Sequence, residues 1–177
     1  MKKLIALMMV LVMAVSMAAC GEKAPAAAEK APLEGTMEEN VLKVMEIAPV
    51  EFMAGPMPVD LTDTSEDGKW ALSYFTGLSD ASKITDVCVY EPMMGSQAFS
   101  LVMVRTAEGV DTKAVAEEMK TNIDPRKWIC VGADEIMAAG YADTVMFIMV
   151  DSQMGLSAQT YVDAFAQVAG AELDFTI

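Results

Sequence analysis

The segment that most constrains the fold is Val145–Val150, an uninterrupted apolar run. Side chains alternate between the two faces of a strand, so a strand made of this run would be apolar on both faces. We therefore expect it to lie at the centre of a sheet. Ile136–Ala138 precedes it, and the pair is predicted to form a hairpin.

Two further segments are predicted to pair as strands. Val87–Tyr90 is β-branched and aromatic, and Ala98–Arg105 follows it closely in sequence. The short separation favours an antiparallel pair. Ala98–Arg105 has two apolar faces, one with Phe99, Leu101 and Met103 and the other with Val102 and Val104. Trp128–Val131 is predicted to be another short strand.

Capping signals predict three amphipathic helices. Thr36 and Glu39 form a capping-box pattern ahead of an apolar stripe that ends at Pro49. The other two helices are expected over Thr112–Ile123, capped by Asp111, and from Ser157 to Ala169, followed by Gly170.

A fourth helix is predicted with less regular signals. Trp70, Tyr74 and Leu78 recur every four residues and Gly77 is a candidate C-terminal cap, although the aromatic residues also alternate as in a strand. We expect the aromatic stripe to lie in the core. Gly55–Pro58 is expected to be irregular because it contains glycine and two prolines.

The order of these elements predicts an α+β fold. Two helices precede a strand pair, and a helix, further strands and a last helix follow. We expect a two-layer sandwich, with an antiparallel or mixed sheet and helices mainly on one face. Residues 36–177 have a length that suits a single globular α+β domain.

The N-terminus has the pattern of a secretory signal peptide, predicted over residues 1–19. Lys2 and Lys3 precede a largely apolar run of 16 residues, Leu4–Ala19, which is short of the roughly 20 residues that span a bilayer. Met17–Cys20 resembles the lipobox of bacterial lipoproteins, in which the cysteine carries a diacylglycerol. The alternative is an ordinary signal peptide cleaved after Ala19.

Residues 20–35 are predicted to be a flexible, lipid-anchored linker, because residues 21–35 are rich in alanine, proline and charge and lack aromatic side chains. The expected location is the outer face of the cell membrane, with the lipid on Cys20 as the membrane contact. A net charge of -14 argues against nucleic acid as a partner and against a domain lying flat on anionic lipid.

Several hydrophobic motifs of the sequence resemble those of an uncharacterised family of lipoproteins from clostridial-type Gram-positive bacteria, the domain of unknown function 4358. The resemblance rests on Gly77–Asp80, Tyr90–Met93, Phe99–Val104, Pro125 and Gly140–Tyr141, together with the lipobox and the linker. It implies a surface-exposed extracytoplasmic domain. It implies no activity and no catalytic residues.

The composition excludes several classes of enzyme. The sequence has no histidine, which excludes Ser-His-Asp and Cys-His nucleophiles and histidine-liganded zinc. It has no Cys-x-x-Cys motif and no phosphate-binding glycine loop. We assign no catalytic residue and no cofactor, and we predict that the chain is not an enzyme.

An acidic loop is the candidate calcium site. Asp60, Asp63, Glu66 and Asp67 crowd together before Gly68, and carboxylate oxygens are ligands for calcium. The spacing is not that of an EF-hand. The competing and favoured interpretation is a solvated acidic loop.

Cys88 and Cys130 both fall in predicted strands. An exported protein can form a disulfide where two strands bring the Cα atoms close enough. The alternative is that both act as small apolar side chains with reduced thiols. We predict reduced thiols.

The turn containing Pro92, Met93 and Met94 is the candidate binding surface, since its apolar residues are not all expected to be buried. The predicted function is a non-catalytic protein-interaction module of the cell envelope. The alternative is a domain that binds a small molecule or peptide for a transporter, and a hydrolase is a minor alternative. The abundant methionine also fits a Met-rich core or, less well, a Cu(I) site.

Overall fold

The structure is a computed structural model that describes residues 30–177. Its strands are β1 (Ala54–Pro58), β2 (Ile84–Pro92), β3 (Phe99–Thr106), β4 (Glu135–Tyr141), β5 (Thr144–Val150) and β6 (Phe175–Thr176). Its helices are α1 (Met37–Ile47), α2 (Glu66–Thr76), α3 (Thr112–Asn122) and α4 (Ala158–Ala169), with 3-10 turns at Ala81–Lys83 and Ser152–Met154. The signal peptide, Cys20 and the first part of the predicted linker lie outside the described residues.

The strands form one sheet with the order β1-β2-β3-β5-β4-β6. Every neighbouring pair is antiparallel. The predicted hairpin and the predicted strand pair are both present, as β4–β5 and β2–β3. β5 lies between β3 and β4 and all its residues are buried, so the prediction that Val145–Val150 is central is confirmed.

The α+β class and the antiparallel sheet are confirmed, but the helices cover both faces rather than mainly one. On one face, α1 and α4 pack over Leu101, Met103 and Ile148. On the other, α3 packs over Val102, Val104 and Phe147, and Leu72 of α2 joins this second core. The physical reason is the double apolar pattern of β3 and β5, because both faces of these strands have to be removed from water.

The three helices predicted from capping signals are present, and two of the predicted side-chain caps form. The Thr36 hydroxyl accepts a hydrogen bond from the Glu39 amide at 3.2 Å, and the Glu39 carboxylate accepts one from the Thr36 amide at 3.0 Å. Asp111 caps α3. Ser157 occupies the cap position of α4 without a side-chain bond to the helix; the Glu135 carboxylate accepts from the Ala158 amide instead.

Two predictions about loops and strands are wrong. Gly55–Pro58, predicted to be irregular, belongs to β1, and it can do so because an edge strand tolerates proline. Trp128–Val131, predicted to be a strand, is irregular with bends at residues 128–130, and Cys130 within it has a φ of 64°, which does not fit a strand.

The helix predicted around Trp70 and Tyr74 is confirmed as α2, with Gly77 in the left-handed conformation at its C-terminus. The expectation that its aromatic stripe lies in the core is wrong for Trp70, which is exposed and stacks on the Tyr74 ring at 4.6 Å. Charged and glycine residues form the first turn of α2, so little apolar surface holds that end against the sheet.

Residues 30–35 lie against the end of the sheet, although the sequence assigns them to the linker. Lys30 forms an ion pair with Asp174 at 2.7 Å. The Arg105 guanidinium donates to the carbonyls of Leu33 and Gly35 at 2.6 and 3.0 Å. We call residues 30–35 the N-terminal strap. Within residues 30–177, none of the helices has the length and apolar character needed to cross a bilayer.

Replacing Thr36 with alanine removes one half of the capping box. We expect it to lower the free energy of unfolding by about 1 kcal/mol, the usual cost of losing a threonine cap. The control is Thr121→Ala on the exposed face of α3, which is expected to change stability by less than about 0.5 kcal/mol. Urea unfolding followed by circular dichroism measures both, and equal effects would contradict the capping role.

Candidate functional site

The predicted binding turn lies between the end of β2 and the start of β3. Met93 and Met94 are both exposed there, and Pro92 is half-buried as the last residue of β2. The prediction that this apolar turn is not fully buried is therefore confirmed for its two methionines.

Met53 lies directly beside this turn. It precedes β1, and its carbonyl accepts a hydrogen bond from the Met93 amide at 3.0 Å. This bond extends the β1–β2 ladder by one pair beyond Ala54 and Pro92. Cross-strand neighbours on an antiparallel ladder have their side chains within contact range, so Met53 and Met93 form one continuous surface.

Ile129 completes the surface from the segment that connects α3 to β4. Its amide donates to the Gly95 carbonyl at 2.8 Å, and a Cβ built on Gly95 would lie 3.6 Å from the Ile129 Cδ1 atom. Met53, Met93, Met94 and Ile129, which are each between 62% and 74% exposed, are here called the methionine patch. Three separate loops contribute to it.

Sequence reasoning found two of the four patch residues. Met53 was missed because β1 was not recognised as an edge strand, so nothing placed it beside Met93. Ile129 was missed because its segment was predicted to be a short strand. One signal in the sequence could have indicated exposed apolar residues: large apolar residues that lie next to glycine and proline in loops are difficult to bury.

A buried ion pair lies between the patch loops and the sheet. The Lys127 Nζ atom is 2.6 Å from the Glu91 Oε1 atom, and the two side chains are 1% and 9% exposed. The Ser100 hydroxyl donates to the same carboxylate oxygen at 2.6 Å. Glu91 belongs to β2, Ser100 to β3 and Lys127 to the loop that carries Ile129, so the pair ties that loop to the sheet.

Aromatic rings surround the same ammonium group. Lys127 Nζ lies 5.1 Å from the centroid of Tyr74 and 5.4 Å from those of Phe75 and Trp128. Such distances allow cation–π attraction. Burial lowers the pKa of Lys127, and the neighbouring Glu91 carboxylate opposes that shift. A buried amine of this kind can serve as a nucleophile in enzymes, but the near-complete burial of Lys127 supports a positioning role here.

The acidic loop does not form the candidate calcium site. Asp60 accepts hydrogen bonds from the amide and hydroxyl of Thr62, and Asp63 accepts from the Ser65 amide. The bonds from the Thr62 side chain and amide lower the pKa of Asp60, and the Ser65 side chain and amide lower that of Asp63. Glu66 pairs with Lys69 in the first turn of α2, where Asp67 also lies. Among residues 30–177, no group of three or more aspartate, glutamate or cysteine side chains is placed to hold a metal ion.

Both described cysteines have free thiols, as predicted. Cys88 is buried in the core beneath α1, and burial raises its pKa to about 12. Cys130 is exposed and follows Ile129 in sequence, so it lies next to the methionine patch. A thiolate is the reactive form of cysteine, so Cys130 is the more reactive of the two.

Replacing Lys127 with methionine keeps most of the side-chain volume but leaves Glu91 buried without its cation. We expect a loss of about 3–5 kcal/mol in the free energy of unfolding, as for other broken buried pairs. Hydrogen exchange at the Ile129 amide should also accelerate, because its loop is no longer held. Lys69→Met, which breaks the exposed pair with Glu66, is the control and should cost less than about 1 kcal/mol. If the two variants lose the same stability, the ion pair does not hold the loop.

The sequence matches no family model, and no curated protein or solved structure is significantly similar to it. The resemblance to the lipoprotein family therefore stays a prediction.

Proposed function

We propose that this chain is an extracytoplasmic lipoprotein, anchored to the outer face of the cell membrane through a lipid on Cys20. We propose further that its domain is a non-catalytic interaction module that binds another envelope protein through the methionine patch. The observation that carries this proposal is the convergence of four large, exposed apolar side chains at one end of the sheet.

The size of the patch supports protein binding. Its four side chains together expose an apolar area on the order of 400 Å², which is the size of the largest apolar patch on a typical monomer, and such patches are often interaction sites. Burying that area at about 25 cal/mol per Å² corresponds to about 10 kcal/mol, before the cost of association. That cost is of similar size, so surrounding polar contacts must contribute to any stable complex.

The chemistry of the patch also supports an interaction role. Methionine is unbranched and polarisable, so it adapts to partner surfaces of different shape. The buried Lys127–Glu91 pair fixes the loop that carries Ile129, which reduces the entropy lost on binding. The patch therefore combines flexible side chains with a fixed backbone.

A second candidate is binding of a small molecule or peptide. An open depression of about 620 Å³ lies at the opposite end of the sheet, lined by Lys30, Thr106, Glu108, Asp143 and Asp174 among others. Its volume is in the range of ligand sites. Its mixed charges and its openness to solvent make it the weaker candidate.

The lipid anchor can be tested by metabolic labelling with an alkyne fatty acid in a bacterial host that processes lipoproteins. We expect the wild-type protein to be labelled and to remain with the membrane. Cys20→Ser should abolish the label, because the thioether-forming sulfur is lost. Cys130→Ser is the matched control and should retain it. Label persisting in Cys20→Ser would contradict the anchor.

The interaction surface can be tested with a photoreactive amino acid in place of Met94, activated in intact cells. We expect a discrete protein adduct from Met94 and none from the same probe at the exposed Glu108, which lies at the other end of the sheet. Met53→Glu should reduce the Met94 adduct at least tenfold, because it places a charge in the patch. Leu42→Glu, at an exposed position of α1, should leave it unchanged. Adduct formation that is insensitive to Met53→Glu would contradict binding at the patch.

A further inference from the structure

A cleft lies between α2 and the segment that connects α3 to β4. Its volume is about 410 Å³, within the range of ligand sites. It shares no lining residue with the depression beside the N-terminal strap. One wall is aromatic and the other carries planar polar side chains. The residues used below are Trp70 and Tyr74 from α2, Asn122 at the end of α3, and Asp124, Arg126 and Lys127 from the connecting segment.

The aromatic wall presents an exposed indole on a fixed support. Trp70 is 60% exposed, yet its indole stacks on the Tyr74 ring with 4.6 Å between the ring centroids. The Tyr74 hydroxyl donates a hydrogen bond to the Lys127 carbonyl at 3.1 Å, which ties this wall to the opposite one. Trp70 therefore offers apolar ring surface to solvent in a defined orientation.

The polar wall is held in place by its own hydrogen bonds. One Asp124 carboxylate oxygen accepts from the Arg126 amide at 2.8 Å. The Asn122 side-chain nitrogen donates to the Gly77 carbonyl at 3.2 Å. The buried ion pair of Lys127 attaches the same segment to the sheet. A wall fixed in this way loses little entropy when a ligand binds.

These bonds leave polar groups of the cleft available to a ligand. Within residues 30–177, the Arg126 guanidinium and the Trp70 indole N–H donate to no group. In the same part of the chain, the Asn122 side-chain oxygen and the second Asp124 carboxylate oxygen accept from none. The cleft thus offers both donors and acceptors beside the indole.

We propose that this cleft binds a neutral saccharide, with one sugar ring stacked on the exposed face of Trp70 and its hydroxyl groups bonded to Asn122, Asp124 and Arg126. This is a second binding site, beyond the interaction module proposed above, and it rests neither on the methionine patch nor on the lipid anchor.

The chemistry of a sugar ring matches the two walls of the cleft. The flat face of the ring carries C–H groups, whose slight positive charge is attracted to the negative face of an aromatic ring. Each hydroxyl both donates and accepts hydrogen bonds. Planar amide, carboxylate and guanidinium groups present two bonding atoms side by side, so they can engage two neighbouring hydroxyls at once.

Charged ligands fit the cleft less well. An organic cation would meet the Lys127 ammonium, which already lies 5.1 Å from the Tyr74 centroid. An anion would meet the Asp124 carboxylate beside Arg126. Burial raises the pKa of the Tyr74 hydroxyl, and the charges of Glu91 and Asp124 raise it further, so the Asp124 charge acts within the cleft. A neutral ligand rich in hydroxyl groups avoids both repulsions.

Titration of the full-length protein with uncharged tetrasaccharides tests the proposal. The protein is kept in a polyoxyethylene detergent, which has no sugar headgroup. The probes are tetrasaccharides of glucose, mannose, galactose and N-acetylglucosamine, followed by calorimetry and by tryptophan fluorescence. Trp128, the other tryptophan, is buried, so a fluorescence change reports Trp70. We expect at least one probe to bind with a Kd below about 1 mM and to change the emission.

Variants locate the bound sugar. Trp70→Ala should weaken binding at least tenfold because it removes the stacking surface, whereas Trp70→Phe keeps an aromatic face and should weaken binding less. Arg126→Gln should weaken binding several-fold because it removes the guanidinium donors. Leu42→Ala, at an exposed position of α1, is the control and should leave the Kd unchanged. Circular dichroism and urea unfolding verify that each variant is folded.

Two results would overturn the proposal. One is that none of the four probes binds at a concentration of about 10 mM, tenfold above the expected Kd. The other is that a probe binds with the same affinity to a folded Trp70→Ala variant. Neither result affects the labelling of Cys20 or the adducts at Met94, so failure of the saccharide site is distinguishable from failure of the proposed function.

Discussion

The fold depends on two neighbouring strands that are apolar on both faces. β3 and β5 alternate side chains between two cores, so neither face of the sheet centre can be left in water. The antiparallel pairs bring the β4–β5 turn to one end of the sheet and the β2–β3 turn to the other. The helices cover the two faces of the sheet. Loops can therefore bring exposed side chains together only at the two ends of the sheet.

The two ends of the sheet carry different features: one carries the methionine patch and the other carries the N-terminal strap. At the patch end, polar groups in the second core hold the backbone: Glu91 and Ser100 extend from the sheet and meet Lys127, which would be costly to bury without them. At the other end, arginine and lysine hold the N-terminal strap. The few cations of this acidic chain thus include several that fix backbone segments. The methionine patch is therefore attached to a backbone that the buried ion pair holds in place.

Local signals in the sequence were sufficient for most elements. The capping box at Thr36, the two faces of Phe99–Val104 and the apolar run at Val145 identify their elements because each is set by neighbours in sequence. Features set by distant neighbours were not predictable. β1 depends on pairing with β2, and the burial of Lys127 depends on Glu91, 36 positions earlier. For the same reason the sequence predicted only two of the four residues of the methionine patch. Met53 and Ile129 are brought to it by contacts between residues that are distant in sequence.

The prolines of β1 have a consequence for contacts between copies of the chain. The Met53 carbonyl faces β2, so the backbone groups of Pro56 and Pro58, at positions that alternate with it, point outward from the sheet. The free edge therefore lacks amide donors at these two positions, and an incoming strand cannot extend the ladder there. The opposite edge is only two residues long, at Phe175–Thr176. Edge-to-edge pairing between copies of the chain is thereby disfavoured.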